Sequence, residues 1–121
     1  MSAFKPLAEI PPQHIWTGVM ARTVEGERMS FAIVELAPNS IVDEHEHPNE
    51  QIGIVLRGTM AFTVGGETRP LRAGDTYNIP GGVRHHVRTG PEGAVVVDVF
   101  SPVRTDWSRF EKGTPAPPVW P

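Results

Sequence analysis

The sequence predicts a single all-β domain, a barrel or sandwich of short strands joined by tight turns, and three observations carry that reading. Glycine and proline together account for 25 of the 121 residues, 12 and 13 respectively, well above the usual share of about 12 %. Proline removes an amide donor and glycine costs conformational entropy, so this load disfavours helices. Against it stands a hydrophobic content of 39 %, too rich for a disordered tract. Turn signals also recur roughly every 6 to 12 residues between Glu25 and Gly93, the spacing of a sandwich or barrel. A chain of this length buries about two-thirds of its unfolded surface, enough for one core and one domain.

The elements follow in order. Residues 1–14 read as an extended N-terminal arm, closed by Pro11 and Pro12. Ile15 to Val24 reads as a strand, turned back at Glu25-Gly26-Glu27. Met29 to Ala37 alternates, with Met29, Phe31 and Ile33 on one face and Ser30, Ala32, Val34 and Leu36 on the other. Pro38-Asn39 breaks it. Ser40 to His47 forms the next strand, and Gln51 to Arg57 follows the Pro48-Asn49 turn and ends at Gly58. Thr59 to Val64 leads into a Gly65-Gly66 hairpin signal, Glu67 to Arg72 returns, and Ala73-Gly74-Asp75 turns the chain into Thr76 to Ile79. Pro80-Gly81-Gly82 precedes a strand from His85 to Thr89. Gly90-Pro91-Glu92-Gly93 reads as a further turn before Ala94 to Phe100, the most β-prone segment. The barrel is expected over residues 15–104 and a C-terminal arm over 105–121. That arm should start as a loop or one helical turn and end as extended, polyproline-like chain, packed across its own barrel or a partner subunit.

Composition excludes several functions. The net charge is −3, from 11 basic and 14 acidic residues, with no basic block to neutralise a phosphate backbone, so nucleic acid is not an expected partner. There is no cysteine, which removes disulfides, thiolate nucleophiles and zinc–thiolate sites together. Neither a signal-peptide run nor a stretch of about 20 apolar residues is present. No membrane partner and a soluble, cytoplasmic protein are expected. Proline-rich arms at both ends suggest a C2 homodimer that buries them.

The chemistry concentrates in the histidines. His45 and His47 are two apart in an expected strand and so point to one face. Gln51 follows a short turn, within reach of the same point, and His85 directly follows a proline–glycine turn. Neutral imidazole is the commonest metal ligand, and a His-x-His pair on a strand makes a two-point clamp. His86 should face outward and His14 is read as structural. Glu44 and Glu46 are read as solvated charges, and Asp43 as either a neighbour behind the histidines or a strand-end cap. In Ala94 to Phe100, Asp98 shares a face with Ala94, Val96 and Phe100. An aspartate in such a run needs a cavity or a partner. A rim salt bridge to Arg104 is one reading and a proton-transfer role the other.

The segment from His45-Glu46-His47-Pro48-Asn49-Glu50-Gln51 to Gly58 resembles the first cupin motif, and Gly74-Asp75-Thr76-Tyr77-Asn78-Ile79-Pro80-Gly81-Gly82-Val83-Arg84-His85 resembles the second. The likeness covers about residues 15 to 100 and implies a jelly-roll barrel with one divalent transition metal per chain (Ni, Zn, Mn, Fe or Co). The usual glutamate ligand is replaced by Gln51. Glu50, one place early, should point to the opposite face, so Gln51 is preferred as fourth ligand. The motif's later asparagine is Thr89. The stretch Val96-Val97-Asp98-Val99-Phe100-Ser101-Pro102-Val103-Arg104-Thr105-Asp106-Trp107, with His47-Pro48-Asn49-Glu50-Gln51-Ile52-Gly53, further resembles the pectin-degradation cupins of the KdgF type. That likeness implies an isomerase which linearises 4,5-unsaturated uronates, small anionic sugar acids, to 5-keto-4-deoxyuronate. It would use His45, His47, Gln51 and His85 as metal ligands, and Asp98, Phe100 and Arg104 as catalytic and substrate-binding residues. A metal-dependent dioxygenase or lyase, or a non-enzymatic small-molecule-binding cupin, are the alternatives.

Overall fold

The computed structural model describes residues 2–121; Met1, the first residue of the expected arm, lies outside them. Eight strands form: β1 (Gln13–Trp16), β2 (Val19–Glu25), β3 (Ser30–Leu36), β4 (Ile41–His45), β5 (Glu50–Val64), β6 (Glu67–Arg72), β7 (Thr76–Ile79) and β8 (His85–Ser101). Two 3-10 turns, Leu7–Glu9 and Thr105–Arg109, are the only helical segments among the described residues. Every ladder is antiparallel.

The long strands β5 and β8 organise the molecule. The C-terminal half of β8 pairs with β3 and with the start of β5, while its N-terminal half pairs with β4 and with the end of β5. One group of strands therefore reads β1-β2-β3-β8-β5-β7 and the other β4-β8-β5-β6. The two groups share β5 and β8, which cross between them, and this produces a jelly-roll barrel. Their inward faces meet in one core that includes Val34, Val55, Met60, Phe62, Val96 and Phe100.

Four local expectations are corrected. The single strand expected from Ile15 to Val24 is two, because the chain turns back at Thr17-Gly18 and Trp16 pairs with Val19. Gly58 does not end a strand, and Gly90–Gly93 does not separate two. Both lie at a register shift where β5 and β8 stay paired, Gly58 facing Ala94 and Met60 facing Thr89. Gly58 has φ +80°, and a Cβ there would run into the carbonyl oxygen of Gly93, so the bulge requires glycine. The strand expected to reach His47 stops at His45.

The C-terminal segment divides in two. Thr105–Phe110 folds against the barrel mouth, with Trp107 buried. Residues 111–121 then run extended across the chain's own β-sheet. Arg22, 1 % exposed, donates to the carbonyl of Ala116 at 3.1 Å and pairs with Glu35 at 2.7 Å. Arg57 donates to the carbonyl of Val119. No helix among the described residues is long and apolar enough to cross a membrane.

Candidate functional site

A cavity of about 120 Å³ opens at one end of the barrel, and its wall includes His45, Gln51, Tyr77, His85, Asp98 and Phe100. His45 comes from the end of β4, His85 from the start of β8 directly opposite it, and Gln51 from β5. His47 sits in the loop beyond β4, where its backbone carbonyl accepts from Gly82 N at 2.8 Å. That bond docks the first histidine segment onto the turn before His85. One nitrogen from each of His45, His47 and His85 lies within 4.8 Å of the others.

The ring orientations are fixed from behind. The Nδ1 atoms of His45, His47 and His85 lie 2.7, 3.0 and 2.8 Å from the backbone carbonyls of Asp43, Asn49 and Val83. A carbonyl can only accept, so each Nδ1 carries the proton and each Nε2 presents a lone pair. His85 Nε2 is buried without a partner. His47 Nε2 and Gln51 Oε1 face each other at 3.0 Å, two electron-pair donors directed at one region. Orphaned and opposed lone pairs are what a cation resolves, so these residues fit a divalent metal. Burial lowers the pKa of His47 and lowers that of His85 to about 4, with the Arg104 charge adding to both. His85 therefore stays neutral and able to ligate in mild acid, and His47 is shifted in the same direction.

Asp98 and Arg104 flank this cluster without pairing to each other. Asp98 is buried, and Tyr77 donates its hydroxyl to Asp98 Oδ1 at 2.5 Å. Burial raises the Asp98 pKa to about 6, a shift partly opposed by hydrogen bonds from Tyr77 and Gln51 and by the Arg104 charge. Burial, then the neighbouring Asp98 charge, pushes the Tyr77 hydroxyl well above its ordinary range, so it remains a donor. Arg104 donates from Nε and Nη2 to both carboxylate oxygens of Asp106, at 2.9 and 2.8 Å. Those bonds hold Asp106 below the usual carboxylate pKa. The Arg104 guanidinium lies 4.7 Å from the Phe100 ring centroid and 4.6 Å from that of Trp107. One edge of the guanidinium is thus fixed by Asp106. Phe100, 2 % exposed, also packs edge-on against His47 at 5.8 Å.

A cupin domain model matches residues 32–100, more than half of the chain. This protein is a cupin. Among relatives, it is 30 % identical over 101 residues to the pectin degradation protein KdgF of Dickeya dadantii, covering 82 % of this chain and 92 % of that one. It is 36 % identical over 93 residues to the polyketide synthase CurC of Streptomyces cyaneus, covering 75 % of this chain and 59 % of that one. The structure of KdgF from Halomonas sp. superposes with a TM-score of 0.80 at 25 % identity, covering 88 % of this chain and 98 % of that one.

The remaining sequence candidates in this cupin fall outside the cavity. Glu50 is exposed. Glu44 and Glu46 meet Arg84 on the surface, and His86 lies 3.7 Å from Glu44. His14 is exposed on β1. Asp43 contributes its carbonyl to His45, because a register shift between Val42 and His45 breaks the alternation that put its side chain on the histidine face. The Thr89 hydroxyl donates to the carbonyl of Ala37 and ties β8 to the 37–40 turn. Sequence reasoning missed Tyr77, Asp106, Trp107 and Asn49. Asn49 is buried and donates to the carbonyl of Pro102 at 2.6 Å, fastening the His47 loop to the segment that carries Arg104. A tyrosine or asparagine inside a recognised motif was the available signal for two of these.

Proposed function

We propose that this cupin is a metal-dependent isomerase that opens 4,5-unsaturated uronates, released in pectin or alginate breakdown, to linear 5-keto-4-deoxyuronate. The observation that carries the reading is the pairing, at one cavity, of a histidine cluster with a buried carboxyl whose pKa is raised to about 6. The likeness to KdgF proteins named for pectin degradation supports the substrate class.

The roles follow from the residues. His45, His47, Gln51 and His85 would hold a divalent Ni, Zn, Mn, Fe or Co ion, all of which accept such ligands. Because these four donors are neutral, the bound ion would keep its full +2 charge and supply Lewis acidity toward sugar oxygens. Arg104, fixed by Asp106 and packed against both Phe100 and Trp107, offers its remaining edge to the substrate carboxylate. Asp98 accepts the proton of the anomeric hydroxyl as C1 becomes a carbonyl and the C1–ring oxygen bond breaks. It then returns that proton to C4 as the C5 enolate becomes a ketone. No atom is gained or lost, and a carboxyl near pH 6 exchanges protons in both directions near neutrality. Phe100 and Trp107 wall the pocket against water.

The test is the ultraviolet band of the enol ether, followed after 4,5-unsaturated galacturonate is added to metal-loaded protein. The band should decay, and chelator should stop the decay. Asp98→Asn should slow turnover by about 10²–10⁴-fold while metal content is unchanged. A stable band with metal present, or full turnover by that variant, refutes the reading.

A further inference from the structure

Gly53 on β5 pairs with Tyr77 of β7 on one side and with Asp98 of β8 on the other, so the three residues form one row across three strands. A Cβ at position 53 would lie 2.5 Å from Tyr77 Cζ and 2.6 Å from Asp98 Oδ1, closer than side-chain carbons come in real structures. The tyrosine passes over bare backbone to reach a carboxylate two strands away, a span of roughly 9–10 Å between outer strands. Its hydroxyl ends 2.5 Å from Oδ1. The ring packs separately, edge-on against Phe62 at 4.8 Å, so packing is served by the ring and the hydroxyl is free to serve Asp98.

We propose that Tyr77 is a positioning residue for Asp98: through the gap at Gly53 its hydroxyl holds Oδ1 and so fixes the orientation of the carboxyl toward the bound sugar. The catalytic half of this proposal rests on the isomerase reading above. A carboxylate on a two-torsion side chain otherwise samples orientations that miss the reacting atoms, and lost orientation is lost rate. Since Tyr77 acts through Asp98, its contribution vanishes once the carboxyl is gone.

Tyr77→Phe keeps the ring and removes only the hydroxyl. In metal-loaded protein acting on 4,5-unsaturated galacturonate, kcat should fall 10- to 100-fold with KM within twofold. The double variant Asp98→Asn/Tyr77→Phe should be no slower than Asp98→Asn alone, whereas a merely structural tyrosine would add its own loss. A kcat within twofold of the parent, or additive losses, overturns the proposal. Tyr77 is the sole tyrosine, which provides a readout independent of activity. In zinc-loaded protein its hydroxyl proton should give one resonance downfield of the amides, absent from Tyr77→Phe and from Gly53→Ala, and shifted in Asp98→Asn. Absence of that resonance from the parent, or its indifference to Asp98→Asn, also overturns the proposal. A parent that turns over no uronate but keeps the responsive resonance defeats the isomerase reading and leaves the Tyr77–Asp98 pairing standing.

Discussion

Replacing Asp98 by asparagine should change how the metal-free protein responds to acid, and the sign follows from two buried groups shifted in opposite directions. The folded-state pKa of His85 is about 4, below its ordinary 6.5. Between those values the unfolded chain holds a proton the folded one lacks, so stability falls as pH falls. The folded-state pKa of Asp98 is about 6, above its ordinary 3.8. There the folded chain holds the extra proton, so stability rises as pH falls and is lost as pH climbs through 6. Near pH 5 each difference is close to one proton, and the two cancel. His47, lowered in the same sense as His85, and Asp106, held low by Arg104, leave a residual acid penalty.

Asparagine keeps the shape of Asp98 and an oxygen for Tyr77, but takes up no proton. The uncompensated imidazole then gives a slope of about 1 kcal/mol per pH unit. From about pH 6 to pH 4.5 the variant should lose on the order of 2 kcal/mol more than the parent, or roughly 8 °C in melting temperature for a domain of this size. Circular-dichroism melts of both proteins with chelator across that range measure it. Parallel profiles would show that these two groups do not set the acid response.

Two further outcomes are expected. Zinc added to chelated protein should raise the melting temperature, by about 2.7 kcal/mol of stabilisation at a hundred times the dissociation constant. His85→Ala should abolish the rise, and a rise that survives it would place the ion elsewhere. Away from the cavity, Arg22→Ala should cost about 3–5 kcal/mol because it strands the mostly buried Glu35. Arg22→Met with Glu35→Leu should recover most of that loss in chemical denaturation, and an equally unstable double variant would rule out stranded charge as the cause.

The all-β class was legible because turn residues and alternation are local signals, and the jelly roll because the two histidine-bearing segments resemble the cupin motifs. The cavity's histidines were also legible, though by a different route from the one that joins them. The i, i+2 rule placed His45 and His47 on one strand face, yet β4 ends at His45 and His47 is held by the turn at Gly82. A loop carbonyl and a strand register reach the same convergence. What stayed illegible depended on cross-strand neighbours. That Asp98 meets Tyr77 and not Arg104 follows from Gly53 standing between the first two in the ladder, and from the 3-10 turn that brings Asp106 to the arginine. Neither the register nor that turn is encoded in periodicity.

The cavity's low polarity serves two chemical ends that water would set against each other. An aspartate and a histidine in water both change charge too low or too near neutrality to act together at one pH: the carboxyl is a poor proton carrier and the imidazole is part-protonated. Withdrawing both from water moves them in opposite directions, since burial disfavours whichever form is charged. His85 falls to about 4 and keeps its lone pair, while Asp98 rises to about 6, the value the proposed proton transfer calls for. Phe100 and Trp107, whose rings line that cavity, are therefore expected to act on both groups at once. Opening the wall at Phe100 would raise the one pKa and lower the other, so metal affinity in mild acid and proton transfer should weaken together.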